Sequence, residues 1–199
     1  LNIWSAFTDL MSNAFMILIL LLVLGTLKAL YSQTNRETPP IIIIEDAKTY
    51  RFDSGSAEIS PTMNRYIQEQ ILPEVEKNAQ KYYINVVEVI GHTDGQANSG
   101  EASNLDRNIQ KVANSQLPIA TLKSGSNADL GLMRALAVVK VLQDFQKAGR
   151  LSGLKFRAYS AGQLMLPNGE FAPAENIPDI SRRRIEIRFT RLGTVKKVN

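Results

Sequence analysis

The chain begins with a single apolar segment of membrane length, and this segment carries an acidic residue near its start. Residues Ala14 to Leu24 include no polar side chain, and the stretch from Phe7 to Leu27 would span about 31 Å as a helix, close to the core of a bilayer. An ionisable group inside a transmembrane helix costs roughly 2.5–3.5 kcal/mol on insertion scales, so Asp9 is itself a functional hypothesis. We therefore predict a transmembrane helix over residues 1–30.

A cleaved signal peptide is the competing interpretation of the same segment. It would need a basic region before the apolar run and a small-residue cleavage site after it. Asp9 precedes the run instead, and residues 28–38 lack an A-x-A pattern. The sequence therefore favours a membrane anchor.

Polar side chains at the start of the segment recur at spacings of three and four residues, which places them on one face of a helix. They are Ser5, Thr8, Asp9, Ser12 and Asn13. Such a face is unstable against lipid, so it should contact protein or a water-filled path. Because one helix cannot enclose a pathway, we expect a partner, either a second copy of the chain or a different membrane protein.

The depth of Asp9 in the bilayer has two interpretations. In the first, Asp9 lies among the lipid headgroups, ahead of a helix that begins at Leu10, where the helix dipole favours an acid. In the second, Trp4 marks the membrane interface and Asp9 lies about 7 Å deeper along the helix axis. Only the second gives the carboxylate a role within the membrane.

The remainder of the chain predicts a linker and one folded domain. Residues 31–40 are polar and end in two prolines, which is typical of an extended linker. Residues 41–199 follow the order β-α-β-α-β-β, which predicts an α/β (α+β) fold with a mixed sheet and helices on one face. The predicted elements are a strand from Ile41 that stays extended to Phe52, a helix capped by Ser60 with Pro61 first and a kink at Pro73, a strand over 84–90, a helix capped by Asn127, and strands over 154–159 and 183–189.

Residues 95–126 are rich in Asn, Ser, Gly and Gln, and we predict a long loop there with a short helical turn at 108–112. The chain has no cysteine and one histidine, His92, which excludes a disulfide framework and thiol catalysis and leaves zinc poorly supplied. We expect no enzyme activity, metal or cofactor, and read His92 as a core hydrogen-bonding residue. The net charge of +4 suits an anionic surface such as cell wall or lipid, or a solvated surface with a small imbalance.

Four motifs in this domain occur in the same order as in OmpA-like peptidoglycan-binding domains, which the chain resembles. Phe52–Ile59 is similar to F-x-S-G-S-A-x-L, and Gly91–Asp94 matches G-H-T-D. Asn127–Val138 is similar to N-x-x-L-S-x-x-R-A-x-x-V, and Arg183–Ile187 is similar to the end of N-R-R-V-E-I. Thr8–Met11 is similar to the A-D-L-M sequence of the B subunits of ion-driven rotary motors, which include the flagellar stator and the Zorya anti-phage motor.

The chain departs from the family pattern at three places. Residues 95–126 stand where the family usually has a short connection, Gly131 replaces the motif serine, and Arg182 replaces the asparagine before the arginine pair. The long insertion changes the rim of the expected wall-binding groove.

The resemblance implies that Asp94 and Arg134 clamp the amino and carboxylate groups of diaminopimelate in a peptidoglycan stem peptide. A zwitterionic head needs one acid and one base at a fixed separation, and arginine offers a bidentate fork to a carboxylate. The alternative is an internal Asp94–Arg134 salt bridge that only holds the domain together. The other peptidoglycan-binding residues that the resemblance implies are Thr93, Asn127, Leu130 and Arg184.

The resemblance also implies an ion-driven motor in which Asp9 carries the ion and the polar face of its helix lines the ion path. The implied partners are a second copy of the chain as a homodimer, a multi-span A-type subunit that forms a pentamer, peptidoglycan and membrane lipid, with no nucleic acid. The implied location is the bacterial inner membrane, with a cytoplasmic N-terminus and a periplasmic domain. The alternative is a static wall anchor without ion conduction. The sequence leaves open whether the motor is a flagellar stator or an anti-phage motor, and whether its ion is a proton or sodium.

Overall fold

The first unit of the chain is one long helix. The structure is a computed structural model that describes residues 3–34, 38–46, 49–98, 102–194 and 196–198, and it divides into two units at residue 38. Helix α1 covers Ile3–Thr34, so residues 31–34 of the predicted linker are helical, because no Pro or Gly follows Lys28 before the helix ends. Over Ile3–Tyr31 it is long and apolar enough to cross a membrane, with a mean hydropathy of 2.4.

The second unit is built on a four-stranded mixed sheet, as the α/β (α+β) prediction required. The strands are β1 (Ile42–Glu45), β2 (Val86–His92), β3 (Lys155–Gly162) and β4 (Arg184–Thr190), arranged in the order β1-β4-β2-β3. The β2 and β3 strands are parallel, whereas β4 is antiparallel to both of its neighbours. Since β1 ends at Glu45, the extended prediction to Phe52 is too long; residues 47–48 lie outside the described residues.

Helices α2 (Pro61–Tyr66), α3 (Leu72–Lys81) and α5 (Asn127–Lys147) pack on one face of this sheet. The main core joins Ile67 and Leu72 from the first helical layer, Val138 from α5, and Val87 and Ile187 from the central strands. All five side chains are fully or almost fully buried, which is what the apolar stripes of these elements predict.

The helical layer after Ser60 is interrupted by a π-helical turn. Ser60 caps α2 by accepting a hydrogen bond from the Met63 N–H, with Pro61 in the first turn as predicted. The π-helical turn, Ile67–Ile71, then separates α2 from α3. Pro73 accounts for this change, because it cannot donate to the carbonyl of Glu69, and the turn widens without breaking the helix.

The predicted loop at 95–126 is wrong in its central part. Helix α4 covers Leu105–Ala113, and a 3-10 turn follows at Ile119–Thr121. Residues 99–101 lie outside the described part of the chain. Leu105 and Val112 are buried with Met133 and Leu136 in a second apolar cluster, so the insertion covers a side of α5 that the sheet does not. The insertion is thus a packed element that adds its own core.

Candidate functional site

Asp9 lies inside helix α1. The helix is already formed at Ile3, six residues before Asp9, so it does not begin at Leu10 as the first interpretation required, and the depth of Asp9 in a bilayer stays a prediction. At about 1.5 Å per residue, Asp9 lies roughly 7 Å along the axis from Trp4. The Asp9 carboxylate therefore projects from a continuous helical surface.

The predicted polar residues of α1 share that surface. Ser5, Thr8, Asp9, Ser12 and Asn13 all lie within the described helix and spread over about 140° of its circumference at 100° per residue. The Thr8 hydroxyl donates to the Trp4 carbonyl at 2.8 Å, which satisfies its hydrogen while its oxygen remains able to accept. After Asn13 the same surface is apolar as far as Leu24.

The second unit contains a cavity of about 400 Å³ where several chain segments converge. Five segments form its wall: the end of β1, the turn that precedes α2, the end of β2, the start of α5 and the residue before β4. Its charged lining residues are three acids, Asp46, Asp53 and Asp94, and three arginines, Arg51, Arg134 and Arg183. A cavity with balanced, separated charges suits a ligand that carries both signs.

Arg134 is fixed on the wall of this cavity. Its side chain projects from the second turn of α5 and is 6% exposed. Its Nε donates to the Ser56 carbonyl at 2.9 Å and its Nη2 to the Asp53 carbonyl at 3.2 Å, while the guanidinium carbon lies 5.1 Å from the centre of the Phe52 ring. Burial lowers the pKa of Arg134 from its ordinary value, and Asp46 and Asp94 oppose that shift. With two of its three nitrogens bound to carbonyls, the guanidinium has a fixed plane and orientation.

Asp94 also lines the cavity and is held by backbone N–H groups. Its side chain is buried; Oδ1 accepts from the Gln96 N–H at 3.3 Å, and Oδ2 accepts from the Asp179 N–H at 3.2 Å. Arg183 Nε lies 3.8 Å from the same Oδ2. Asp94 therefore keeps its orientation without help from Arg134.

Asp94 and Arg134 line the same cavity and form no ion pair with each other, although the structure describes both residues. The alternative in which they make an internal salt bridge is therefore wrong. Asp46 forms an ion pair with Arg183 on the cavity wall, in which Asp46 Oδ2 lies 2.9 Å from Arg183 Nε. The two groups are not aligned for a hydrogen bond. Burial raises the pKa of Asp46 and Arg183 opposes that rise. Sequence reasoning missed Asp46 because it lies in no matched motif. Arg183 does lie in the matched motif Arg183–Ile187, but the predicted binding residue there was its neighbour Arg184.

Three further predicted residues lie at the cavity. Thr93, Asn127 and Leu130 all line it and are buried. The Asn127 amide donates to the Gln96 carbonyl at 2.9 Å and to the Asp94 carbonyl at 3.4 Å, so it shapes the turn that carries Asp94. The prediction that Asn127 caps α5 is wrong: Ser126 is the cap and accepts from the Asp129 N–H at 3.1 Å, which leaves the Asn127 side chain for this turn.

Arg184 lies away from the cavity. It is 5% exposed, donates from Nε and Nη2 to Glu186 Oε1 at 3.0 and 2.8 Å, and also contacts the carbonyls of Arg182 and Leu166. On β4, neighbouring side chains alternate between the faces of the sheet, so Arg183 and Arg184 point in different directions. The arginine that the fold brings to the cavity is Arg183.

His92 belongs to the same buried group as Arg184. Its Nε2 lies 3.3 Å from Glu186 Oε1, and its side chain is 3% exposed. Burial, assisted by Arg184, lowers the pKa of His92 to about 4, so the ring is neutral at pH 7. The ring does not line the cavity that holds Asp94, and its burial confirms the predicted core position. The predicted hydrogen-bonding role is not borne out, because neither ring nitrogen has a partner with hydrogen-bond geometry among the described residues.

A close contact of two glycines sets the spacing between the strand and helix that carry the site. A Cβ added to Gly91 would lie 2.0 Å from the Gly131 carbonyl oxygen, and one added to Gly131 would lie 2.8 Å from the Gly91 oxygen. Each glycine precedes a charged site residue, Asp94 or Arg134, by three positions. The departure from the motif serine at 131 thus lies at the point of closest approach between β2 and α5.

The insertion forms part of the cavity rim. Gln96, Ala97 and Asn98 line the cavity at the start of the insertion. The Asn98 amide donates to the Ser124 hydroxyl at 2.8 Å and lies 3.3 Å from the carbonyls of Ser124 and Ser126. These contacts join the two ends of the insertion beside the N-terminus of α5, so the rim is held in place by the insertion itself.

Comparisons with known proteins find similarity among solved structures only. No protein-family model and no curated protein matches the sequence. A putative MotB-like protein from Desulfovibrio vulgaris is 20% identical, with a TM-score of 0.44 over 77% of this chain and 74% of the other. The periplasmic domain of MotB is 22% identical, with a TM-score of 0.45 over 79% and 66% of the two chains. The OmpA-like domain of FopA1 from Francisella tularensis is 14% identical, with a TM-score of 0.38 over 80% and 88%. These likenesses are too distant to assign a ligand or a partner.

Proposed function

We propose that the chain is a membrane-anchored, peptidoglycan-binding B subunit of an ion-driven motor. The observation that carries the wall-binding half is the cavity in which Asp94 and Arg134 are each fixed by backbone groups and are not paired with one another. The sequence resemblance to OmpA-like domains supplies the ligand class, and the polar face around Asp9 supplies the membrane half.

The cavity chemistry fits the zwitterionic end of diaminopimelate. The Arg134 guanidinium offers an N–H group to a carboxylate, and the Asp94 carboxylate accepts from an ammonium group. Hydrogen bonds that involve a charged group contribute about 1.5–3 kcal/mol each when their geometry is good. Because both groups are already oriented, little side-chain entropy is lost on binding.

The membrane half of the proposal rests on Asp9 and its neighbours. The polar surface of α1 reaches from Ser5 to Asn13 and then gives way to the apolar run that ends at Leu24. An ion that reaches Asp9 from one side therefore needs polar groups of another chain to leave on the other. We propose a homodimer surrounded by a pentamer of multi-span A-type subunits in a bacterial inner membrane, with the folded domain in the periplasm and protons as the ion.

The wall-binding proposal is tested with Asp94→Asn. The amide oxygen can keep one of the two backbone N–H hydrogen bonds that Asp94 accepts, and the other is lost with the charge, so Tm is measured beside binding to establish that the variant is folded. We expect binding of the detergent-solubilised full chain to isolated peptidoglycan to fall at least about tenfold, as expected for one charged contact. Asp144→Asn is the matched control, because Asp144 is exposed and its side chain pairs with Lys147 at the surface. Wild-type binding by Asp94→Asn would exclude the clamp.

The ion-carrying proposal is tested with Asp9→Asn in the assembled complex with an A-type subunit. The substitution preserves size and removes the titratable group, so we expect normal assembly and no ion flux into vesicles. Thr26→Ala is the control on the same helix, because the Thr26 hydroxyl donates to the Val23 carbonyl of its own helix. Full flux with Asp9→Asn would leave the static wall anchor as the better description.

The output of the motor is a separate part of the proposal. A flagellar stator and an anti-phage defence motor would share Asp9, Asp94 and Arg134. The packed insertion at 95–126 favours a system other than a standard flagellar stator, since it alters the rim of the wall-binding cavity. Failure to restore swimming to a stator-deleted cell, together with phage protection by the same gene pair, would support the defence motor.

A further inference from the structure

A second cleft lies on the outer side of the helical layer, and the function proposed above does not use it. It has a volume of about 400 Å³ and is formed by α2, the π-helical turn and the segment before the first cavity. Its lining residues are Thr49, Tyr50, Thr62, Arg65, Tyr66, Glu69 and Gln70. We call it the tyrosine cleft.

Two stacked aromatic rings form one wall of the tyrosine cleft. The rings of Tyr50 and Tyr66 lie 4.2 Å apart between centres and 16° from parallel. Both side chains are half-buried, so part of each remains accessible from the cleft. Tyrosine combines an apolar ring with a hydroxyl that forms hydrogen bonds, and such residues are common where a ligand has both apolar and polar surfaces.

The other side of the cleft is polar and belongs to the widened helical turn. Glu69 and Gln70 lie within the π-helical turn, and Arg65 lies at the end of α2 just before it. All three side chains are exposed, and among the residues that the structure describes none of them forms a side-chain hydrogen bond or ion pair. Single π-helical turns within α-helices often occur at functional sites, because the wider turn changes the direction of its side chains.

The tyrosine cleft is next to the cavity that holds Arg134. Tyr50 also lines a small space that Asp46, Phe52 and Arg134 line from the other side. Tyr50 is three positions before Asp53 on the rim of the main cavity, a chain path of at most about 10 Å. The two clefts are therefore joined by one short chain segment.

We propose that the tyrosine cleft binds an N-acetylated amino sugar of the peptidoglycan glycan strand, as a second subsite beside the amino-acid clamp. A sugar ring has an apolar C–H face that matches the tyrosine wall, and its hydroxyl and amide groups match Arg65, Glu69 and Gln70. This inference rests on the peptidoglycan-binding function proposed above. It predicts that the sugar adds affinity to a peptide that the main cavity already binds.

The test compares two soluble probes on the full chain in detergent. One is the stem tripeptide L-Ala-D-Glu-diaminopimelate, and the other is the same tripeptide attached to its N-acetylglucosamine–N-acetylmuramic acid disaccharide. By titration calorimetry the wild type should bind the disaccharide peptide about three- to tenfold more tightly than the free tripeptide, the range expected for one aromatic contact. Tyr66→Ala and Gln70→Ala should reduce this difference and leave tripeptide affinity unchanged.

The controls separate loss of the subsite from loss of folding. Tyr66→Phe keeps the ring and should retain most of the sugar-dependent gain, and Tyr159→Ala removes an exposed tyrosine of β3 that does not line the cleft. Gln70 is exposed, so its truncation should not disturb the core. Equal affinity of the wild type for the two probes would overturn the subsite and leave the clamp intact. No binding of either probe would overturn the proposed wall-binding function and the subsite with it.

Discussion

Gly91→Ala is the substitution that most directly tests how the fold positions the clamp. The new Cβ would lie 2.0 Å from the Gly131 carbonyl oxygen and 2.6 Å from its carbon, whereas an ordinary contact begins at 3.4 Å. Both atoms belong to backbone, so no side chain can rotate away. The substitution therefore requires β2 and α5 to separate by about 1.4 Å at this point.

The expected cost follows from that separation. Overpacking of a close-packed interior typically costs about 1–3 kcal/mol, and each kcal/mol lowers Tm by about 2–4 °C in a domain of this size. Asp94 and Arg134 follow the contact by three residues on β2 and α5, so their separation changes as well. Loss of one well-directed charged hydrogen bond to the ligand would weaken binding by about 10- to 150-fold.

The assay is thermal unfolding of the full chain in detergent, followed by peptidoglycan binding at a temperature where the variant is folded. Gly193→Ala is the matched control, because its added Cβ meets no atom within 4 Å and its backbone needs no positive φ. We expect the control to match the wild type in both measurements. A Gly91→Ala variant with unchanged Tm and affinity would refute the reasoning that this contact sets the geometry of the clamp.

Three further predictions concern the neighbouring groups. The pKa of His92 is lowered to about 4 in the fold and is about 6.5 in an unfolded chain, so the unfolded state takes up a proton first as pH falls. The free energy of unfolding should therefore drop by up to about 3 kcal/mol between pH 6.5 and pH 4. In urea titrations, His92→Gln should flatten this dependence on pH. Arg184→Ala should lower the free energy of unfolding by about 3–5 kcal/mol because it leaves the buried Glu186 less compensated. Arg183→Ala leaves Asp46 less compensated at the cavity wall, so it should weaken peptidoglycan binding and lower stability by less, because Arg183 is partly exposed. A larger loss of stability with Arg183→Ala than with Arg184→Ala would contradict the placement of the two arginines. Asn98→Ala should leave Tm within about 2 °C but change the preference between free tripeptide and larger peptidoglycan fragments, measured by competition, because it releases the insertion from Ser124 at the cavity rim.

The elements of the domain could be predicted because their signals are local. Ser60 and Pro61 mark a helix start through hydrogen bonding and a fixed φ, and the structure has that cap. Helix α4 was predicted only as a short turn at 108–112 because polar Asn, Ser and Gln residues surround it, although Leu105, Ile109 and Val112 have helical spacing. A count of that spacing would have found the helix.

The site was only partly predictable, for a different physical reason. Asp94 and Arg134 lie in motifs, but their neighbours depend on how distant segments meet. Asp46 reaches the cavity because β1 pairs with β4, which brings it next to Arg183, and nothing local to residue 46 indicates that pairing. Propensity does not distinguish Ser126 from Asn127 as the cap of α5, since both residue types are good caps. Ser126 is the cap in the structure because the Asn127 amide donates instead to the turn that carries Asp94.

Strand β1 acquires a mechanical role if the chain is held at the membrane and at the wall as proposed. The chain from the membrane enters β1 at Ile42, and the strand ends next to Asp46 at the cavity. Tension between the two attachments would then run along β1. Its four residue pairs with β4 would be loaded in shear, so all four would carry the force at the same time. The Asp46–Arg183 ion pair lies at the far end of that ladder and would carry part of the same force. This short edge strand would therefore be the first element of the folded domain to carry the load from the membrane.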